Sequence, residues 1–165
     1  MNTLESLMNR LERLQSPTVS ELQGILRQVR LSPGDIECFV AQPENGRSYG
    51  RQVIFRNAEL EAIVIHLPAL SQTSIHDHGE SIGCALVVEG KLTNQLYTTA
   101  GYGMVHPAGS YEVTSGSCML APYGQIHEML NRTDERMISL HVYAPPLAGM
   151  KQYVPESSAV LDYVI

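Results

Sequence analysis

The sequence predicts a mainly β fold, a closed β-barrel preceded by N-terminal α-helices. Two observations predict it. Apolar residues recur at helical spacing near the start of the chain, and from about residue 46 short β-branched and aliphatic runs alternate with Gly, Pro, Asn and Ser. Many short strands without helices between them are typical of a sandwich or a barrel, in which wrapping protects the sheet edges.

The first segment, residues 1–45, is predicted to be helical. Apolar residues three and four positions apart form one helix face: Leu4, Leu7, Met8, Leu11 and Leu14. Thr18 and Glu21 form the pattern of a capping box, which predicts that a second helix begins there. Ser32 followed by Pro33 predicts a short third helical turn.

The second segment, residues 46–147, is predicted to be the barrel, and residues 148–165 a C-terminal tail, within one domain of 165 residues. The candidate strands are Gln52 to Arg56, Leu60 to Leu67, Cys84 to Val88, Lys91 to Thr98, Gly109 to Val113, Cys118 to Ala121, and Arg136 to Tyr143.

Composition excludes some classes of partner. A net charge of -6 without clustered Lys and Arg argues against nucleic-acid binding, and no stretch is apolar enough to span a membrane. Three separated cysteines give no disulfide framework, and Cys38 and Cys118 have the character of small apolar residues in the body of the protein. We therefore expect a cytoplasmic protein, and a monomer.

Histidines provide the strongest local feature. His76 and His78 are two positions apart, so on an extended strand both imidazoles would project from the same face and could hold one ion. Gly83 and Gly90 follow at the spacing of the first cupin motif, HxHx4Ex6G, with Gly83 in place of the motif glutamate. Glu80 shares the strand parity, but on a strand it would lie about 13 Å from residue 76, too far to complete the same site.

The second cupin motif, Gx5PxGx2Hx3N, is complete: Gly116, Pro122, Gly124, His127 and Asn131. A turn at Pro122 and Gly124 would direct His127 across the barrel as a third ligand. The predicted site therefore consists of His76, His78 and His127 in a jelly-roll-like cupin barrel. Three protein ligands leave coordination positions open, which is typical of a catalytic metal, but imidazole alone does not select between zinc, copper, nickel and iron.

The segments SYGRQVIFRN, IHDHGESIGCALVVEGKL and ERMISLHVYAPPL resemble the cysteine dioxygenase family, and specifically its bacterial type I branch, from about Tyr49 to Leu147. The resemblance implies a cupin barrel with N-terminal helices and Fe(2+) held by the three histidines. It also implies a reaction in which both atoms of O2 are added to the thiol of L-cysteine, giving cysteine sulfinate.

The resemblance also implies roles for five further residues. Arg51 would bind the substrate carboxylate, and Tyr49 would contact the same end of the substrate. Ser139, His141 and Tyr143 alternate along one predicted strand, so they share a face and match the family's hydrogen-bonded line. In that line the Tyr143 hydroxyl would reach the reacting sulfur and His141 would orient it.

One departure from the vertebrate branch concerns residue 83. Vertebrate members have a cysteine there that is crosslinked to the tyrosine, whereas this chain has Gly83, and Cys84 would face the opposite side of its strand. We therefore expect an unmodified Tyr143. The segment Ala144, Pro145 and Pro146 replaces the family's Ser-Pro-Pro, so the resemblance allows a cis bond before Pro145 but does not decide it.

Three alternatives stay open. A 3-mercaptopropionate dioxygenase shares the iron, the fold and the tyrosine line, but generally has glutamine where Arg51 stands. Another metal-dependent cupin would usually keep the motif glutamate. A non-enzymatic cupin would bind a ligand or a partner without consuming O2.

Overall fold

A computed structural model describes residues 3–156. The helices come first, as predicted: α1 (Thr3–Leu11), α2 (Val19–Arg27), α3 (Pro33–Ile36) and a 3-10 turn (Glu37–Phe39). The capping box before α2 is present, because the Glu21 amide donates to the Thr18 hydroxyl and the Thr18 amide donates to the Glu21 carboxylate.

The described residues then form ten strands: β1 (Gly50–Arg56), β2 (Glu61–Leu67), β3 (Ile75–His76), β4 (Ile82–Glu89), β5 (Lys91–Gly101), β6 (Met104–Thr114), β7 (Cys118–Ala121), β8 (Ile126–Leu130), β9 (Met137–Ala144) and β10 (Gln152–Pro155). One antiparallel sheet has the order β1-β2-β9-β4-β7. The other five strands close on themselves in the order β10-β3-β8-β5-β6. The mainly β barrel with N-terminal helices is therefore confirmed.

The C-terminal part of the barrel differs from the prediction. Strand β10 pairs with β3 and β6, so the sheet continues beyond residue 147, within the predicted tail. The reason is that backbone groups of the closing strand find partners on two sheet edges. The predicted tail residues 157–165 lie outside the described residues, as do residues 1–2.

Strand β9 is buried on both faces and separates two parts of the core. On one face Leu140 and Val142 belong to the cluster that helices α1 and α2 cover. On the other face Tyr143 packs with Ile63 and Met129 in a second cluster, which lies toward the barrel strands. Ser139 and His141 share the parity of Tyr143, so their side chains also face the barrel interior.

Two further features concern single segments. The Ala144–Pro145 bond, which the sequence left undecided, is cis. Among residues 3–156, none of the helices has the length and apolar character needed to cross a membrane.

Candidate metal centre

The register of two short strands brings the first and third histidines together. His76 on β3 is the direct partner of His127 on β8. The turn before β8 has the predicted form, since the Gln125 amide donates to the Pro122 carbonyl and Gly124 has a φ of 75°. A positive φ is readily adopted by glycine, so this turn explains why the motif has glycine at position 124.

His78 reaches the same point by a different route from the one predicted. Strand β3 ends at His76, so the two histidines do not lie on one extended strand. Instead, the Asp77 carboxylate accepts hydrogen bonds from the amides of Gly79 and Lys151 and from the Tyr153 hydroxyl. These bonds fix the bend after the strand and tie it to the C-terminal segment.

The three imidazoles form a compact cluster. Their candidate ligand atoms all lie within 4.8 Å of one another. The Nε2 atoms of His78 and His127 are 3.2 Å apart. No carboxylate joins this cluster in the described part of the chain, and Glu80 is exposed to solvent.

Hydrogen bonds at the far side of two rings determine which nitrogen faces the centre. The Nδ1 atom of His76 donates to the Ser74 carbonyl at 2.8 Å, and that of His127 donates to Asn94 Oδ1 at 2.6 Å. In a neutral imidazole this leaves an unprotonated Nε2. The Nδ1 atom of His78 is buried without a hydrogen-bond partner. The Nε2 atoms of His78 and His127 face each other, and a metal ion between the rings would accept imidazole lone pairs.

Burial keeps all three candidate ligands neutral. It lowers the pKa of His78 to about 3, with the neighbouring His76 as the second cause. Burial also lowers the pKa of His76, and it lowers that of His127 well below its ordinary value. Because a metal competes with protons for the same nitrogens, a low pKa favours metal binding at neutral pH.

Asn94 is a residue that the sequence analysis missed. It is buried on β5, and besides holding His127 it donates from Nδ2 to the Tyr111 hydroxyl at 2.9 Å. Partners of this kind orient metal-binding imidazoles and fix their tautomer. The sequence contained one signal, an Asn on the same strand face as the apolar Leu92 and Leu96.

Ser139, His141 and Tyr143 form a continuous hydrogen-bonded line. The Ser139 hydroxyl lies 2.8 Å from Nε2 of His141, and the Tyr143 hydroxyl lies 3.0 Å from its Nδ1. The Tyr143 ring centroid is 4.8 Å from that of His78, so the line ends beside the histidine cluster.

Burial also sets the protonation of this line. It raises the pKa of Tyr143 above its ordinary value, although nearby Arg51 opposes the shift. It lowers the pKa of His141 to about 3, with His78 as the next cause. At neutral pH the tyrosine therefore keeps its proton and His141 is neutral, with one donating and one accepting nitrogen.

A narrow cavity with about 30 Å³ of free space lies beside His76, His78 and Tyr143. It is lined by Tyr49, Arg51, Ile63, Ile65, Thr73, His76, His78, Met129, Tyr143, Leu147 and Met150. Among these described residues Arg51 carries the one formal charge, because the histidines are neutral. The single cation in the wall of this narrow cavity suits a small molecule with an anionic group.

The remaining histidines and one cysteine have other surroundings. His66 is buried and its ring is hydrogen-bonded to the Ala41 carbonyl, while His106 is half exposed and pairs with Glu156. The expectation that Cys38 lies in the body of the protein is wrong, because Cys38 is exposed within the 3-10 turn. Cys118 is half-buried against the helix-covered core.

Known proteins match this chain at two levels. A family model described as cysteine dioxygenase type I matches residues 5–156. A Klebsiella pneumoniae structure, an uncharacterized conserved protein with a double-stranded β-helix domain, is 24% identical with a TM-score of 0.57, and the match covers 72% of this chain and 88% of that one.

More distant structures share the fold. The protein TT1209 from Thermus thermophilus is 16% identical with a TM-score of 0.56, covering 72% of this chain and 99% of that one. KdgF from Halomonas sp. is 14% identical with a TM-score of 0.51, covering 62% and 84%. At these identities the solved structures support the architecture alone.

Proposed function

The chain belongs to the cysteine dioxygenase type I family, and we propose that it oxidises L-cysteine with O2 to cysteine sulfinate at a mononuclear Fe(2+) site. The observation that carries the proposal is a juxtaposition. Three neutral imidazoles converge at one point, and Arg51 and Tyr143 line the same small cavity as two of them, His76 and His78.

His76, His78 and His127 would hold the iron. Bound Fe(2+) would supply the redox chemistry that lets a thiol and O2 react without an external reductant. The protein's part is to present three neutral nitrogens and to hold two of the rings through Ser74 and Asn94.

Arg51 and Tyr49 would bind the carboxylate of the substrate. A guanidinium offers paired donors that match a carboxylate, so it fixes both the position and the orientation of the amino acid. Ile63, Ile65 and Leu147 contribute apolar side chains to the cavity wall, which would limit the access of water. Holding the substrate in this way aims its sulfur at the histidine cluster.

Tyr143 would donate a hydrogen bond to the reacting sulfur and oxygen atoms. Its hydroxyl stays protonated because burial raises the tyrosine pKa, and His141 orients it from the other side. Ser139 fixes the His141 ring in turn. A preorganised donor stabilises charge that develops during the reaction at little cost in reorganisation.

Comparing two thiols tests the choice of substrate. The Fe(2+)-loaded protein should turn over L-cysteine with a higher kcat/KM than 3-mercaptopropionate, and Arg51→Gln should lose activity toward cysteine while keeping its metal. A preference for 3-mercaptopropionate would overturn the substrate assignment, and failure to consume O2 with either thiol would overturn the enzyme class.

We further propose that the enzyme acts in the cytoplasm as a monomer. Size-exclusion chromatography with light scattering checks the oligomeric state.

A further inference from the structure

Glu61 is a buried carboxylate next to the cavity, in contact with Leu147 and near Arg51, two residues of its lining. It begins β2 and is the register partner of Tyr143 on β9. Its Oε1 accepts a hydrogen bond from the amide of Leu147 at 2.6 Å. Its Oε2 is buried with no hydrogen-bond partner.

Two guanidinium groups approach this unpartnered oxygen. Arg51 Nη2 is 3.9 Å and Arg56 Nη1 is 3.7 Å from Glu61 Oε2, both beyond hydrogen-bond distance. Arg56 is the more exposed of the two side chains, at 56% against 28% for Arg51. The charge of Glu61 therefore acts on Arg51 through space, without a bond that would occupy the guanidinium donors.

This arrangement is unfavourable for stability alone. A buried carboxylate is costly unless its oxygens are well paired, and a neutral amide could accept the Leu147 hydrogen bond equally well. Arg51 and Arg56 offset part of this cost through long ion pairs, but neither donates a hydrogen bond to Glu61 Oε2. Two of the groups that Glu61 contacts, Arg51 and Leu147, belong to the cavity wall.

We infer that Glu61 is a positioning residue, which holds Arg51 and Leu147 in place and thereby sets the affinity for thiols that carry a carboxylate. The inference rests on the proposed function of the same cavity. Arg51 is long and partly exposed, so without an anion behind it the guanidinium would sample conformations directed toward solvent. Glu61 leaves the donors of Arg51 free for the substrate.

The variant Glu61→Gln removes the charge and keeps an acceptor for Leu147. The KM for L-cysteine should rise about tenfold, the change produced by a loss of about 1.4 kcal/mol of binding free energy. The inhibition constant of cysteamine, a thiol without the carboxylate, should stay the same when it is measured against cysteine oxidation. The melting temperature should be equal to or higher than that of the wild type, because the buried charge is gone.

Glu112→Gln is the matched control. Glu112 pairs with Lys91 on the exposed β5–β6 surface, so the same change of charge there should leave the KM unaltered. Wild-type KM in Glu61→Gln, an equal rise in the cysteamine constant, or loss of the folded protein would each overturn the inference. If the wild-type protein oxidises no thiol, the proposed function fails instead, so the two failures are distinguishable.

Discussion

Gly83 lies directly against the ring of Tyr143. A β-carbon built on this glycine would be 2.5 Å from Cδ1 and 2.7 Å from Cε1 of the tyrosine, well inside normal contact distance. Gly83 and Tyr143 are also register partners on β4 and β9. The absence of a side chain at position 83 is therefore what allows the tyrosine ring its place beside His78.

Gly83→Ala should displace the Tyr143 ring. We expect a loss of about 1–3 kcal/mol in the free energy of unfolding from overpacking, and a fall in kcat of about a hundredfold from the misplaced hydroxyl. Urea denaturation and O2 uptake measure the two effects. Gly24→Ala on α2 is the control, since nothing lies within 4 Å of the added carbon there. Wild-type kcat in Gly83→Ala would contradict this account of the ring's position.

The tyrosine should also be chemically unmodified. Gly83 provides no sulfur, and Cys84 belongs to the helix-covered cluster, whereas Tyr143 faces the barrel. The intact mass of the purified, reduced protein should therefore equal that of the unmodified chain. After proteolysis, the peptide containing Tyr143 should carry no second peptide linked through a cysteine. A linked peptide that joins Tyr143 to a cysteine would refute the prediction.

Tyr143→Phe removes the hydroxyl and leaves the ring packing intact. The kcat should fall about a hundredfold, the usual effect of removing one preorganised donor, while the iron content stays that of the wild type. Tyr123→Phe serves as the control, because Tyr123 is exposed and outside the cavity lining. Equal turnover by both variants would show that the hydroxyl has no part in the reaction.

Asn94→Ala should weaken metal binding without touching a ligand. Loss of the bond to His127 Nδ1 frees the ring and its tautomer, so the affinity for Fe(2+) should fall about tenfold to a hundredfold. Chelator competition under nitrogen measures it. Gln95→Ala alters the next residue, whose amide bonds to backbone carbonyls, and should bind iron like the wild type. An unchanged affinity in Asn94→Ala would show that the ring is held by packing alone.

The metal-free protein should lose stability in mild acid. Burial lowers the pKa of His78 and of His141 to about 3 in the folded state, so below pH 6.5 the unfolded chain binds more protons. Stability should therefore fall between about pH 6.5 and pH 3, by about 1.4 kcal/mol per pH unit for each such histidine.

Urea denaturation across this range measures the slope. His141→Gln should reduce this slope by about 1.4 kcal/mol per pH unit, the contribution of one protonated group. His106→Gln, which replaces a half-exposed histidine, serves as the comparison. A free energy of unfolding that is constant from pH 6.5 to pH 4 would contradict the assignment of buried neutral histidines.

Local patterns predicted most of the fold. The period of the helices, the capping box at Thr18 and the long strands needed only neighbouring residues to be recognised. Strand β3 has two residues and β8 contains His127 and Glu128, so neither shows the alternation of a half-buried strand. The two strands pair because the barrel closes, and this contact between distant parts of the chain cannot be read from neighbouring residues.

The site was predictable where a motif spans it. The spacing of the two motifs predicted that His127 lies with His76 and His78. The expected extended strand through both His76 and His78 is instead a strand that ends at His76 and a bend at Asp77. Asn94 and Glu61 belong to no motif and reach the site through strand register. Such residues become visible when the burial of each polar side chain and its partners are known.

The central claim is tested most directly by the mass of the product formed with isotopically labelled O2. Protein loaded anaerobically with Fe(2+) and mixed with L-cysteine and labelled O2 should give cysteine sulfinate that carries two labelled oxygen atoms. Product with one labelled atom, or cystine with release of hydrogen peroxide, would contradict the account.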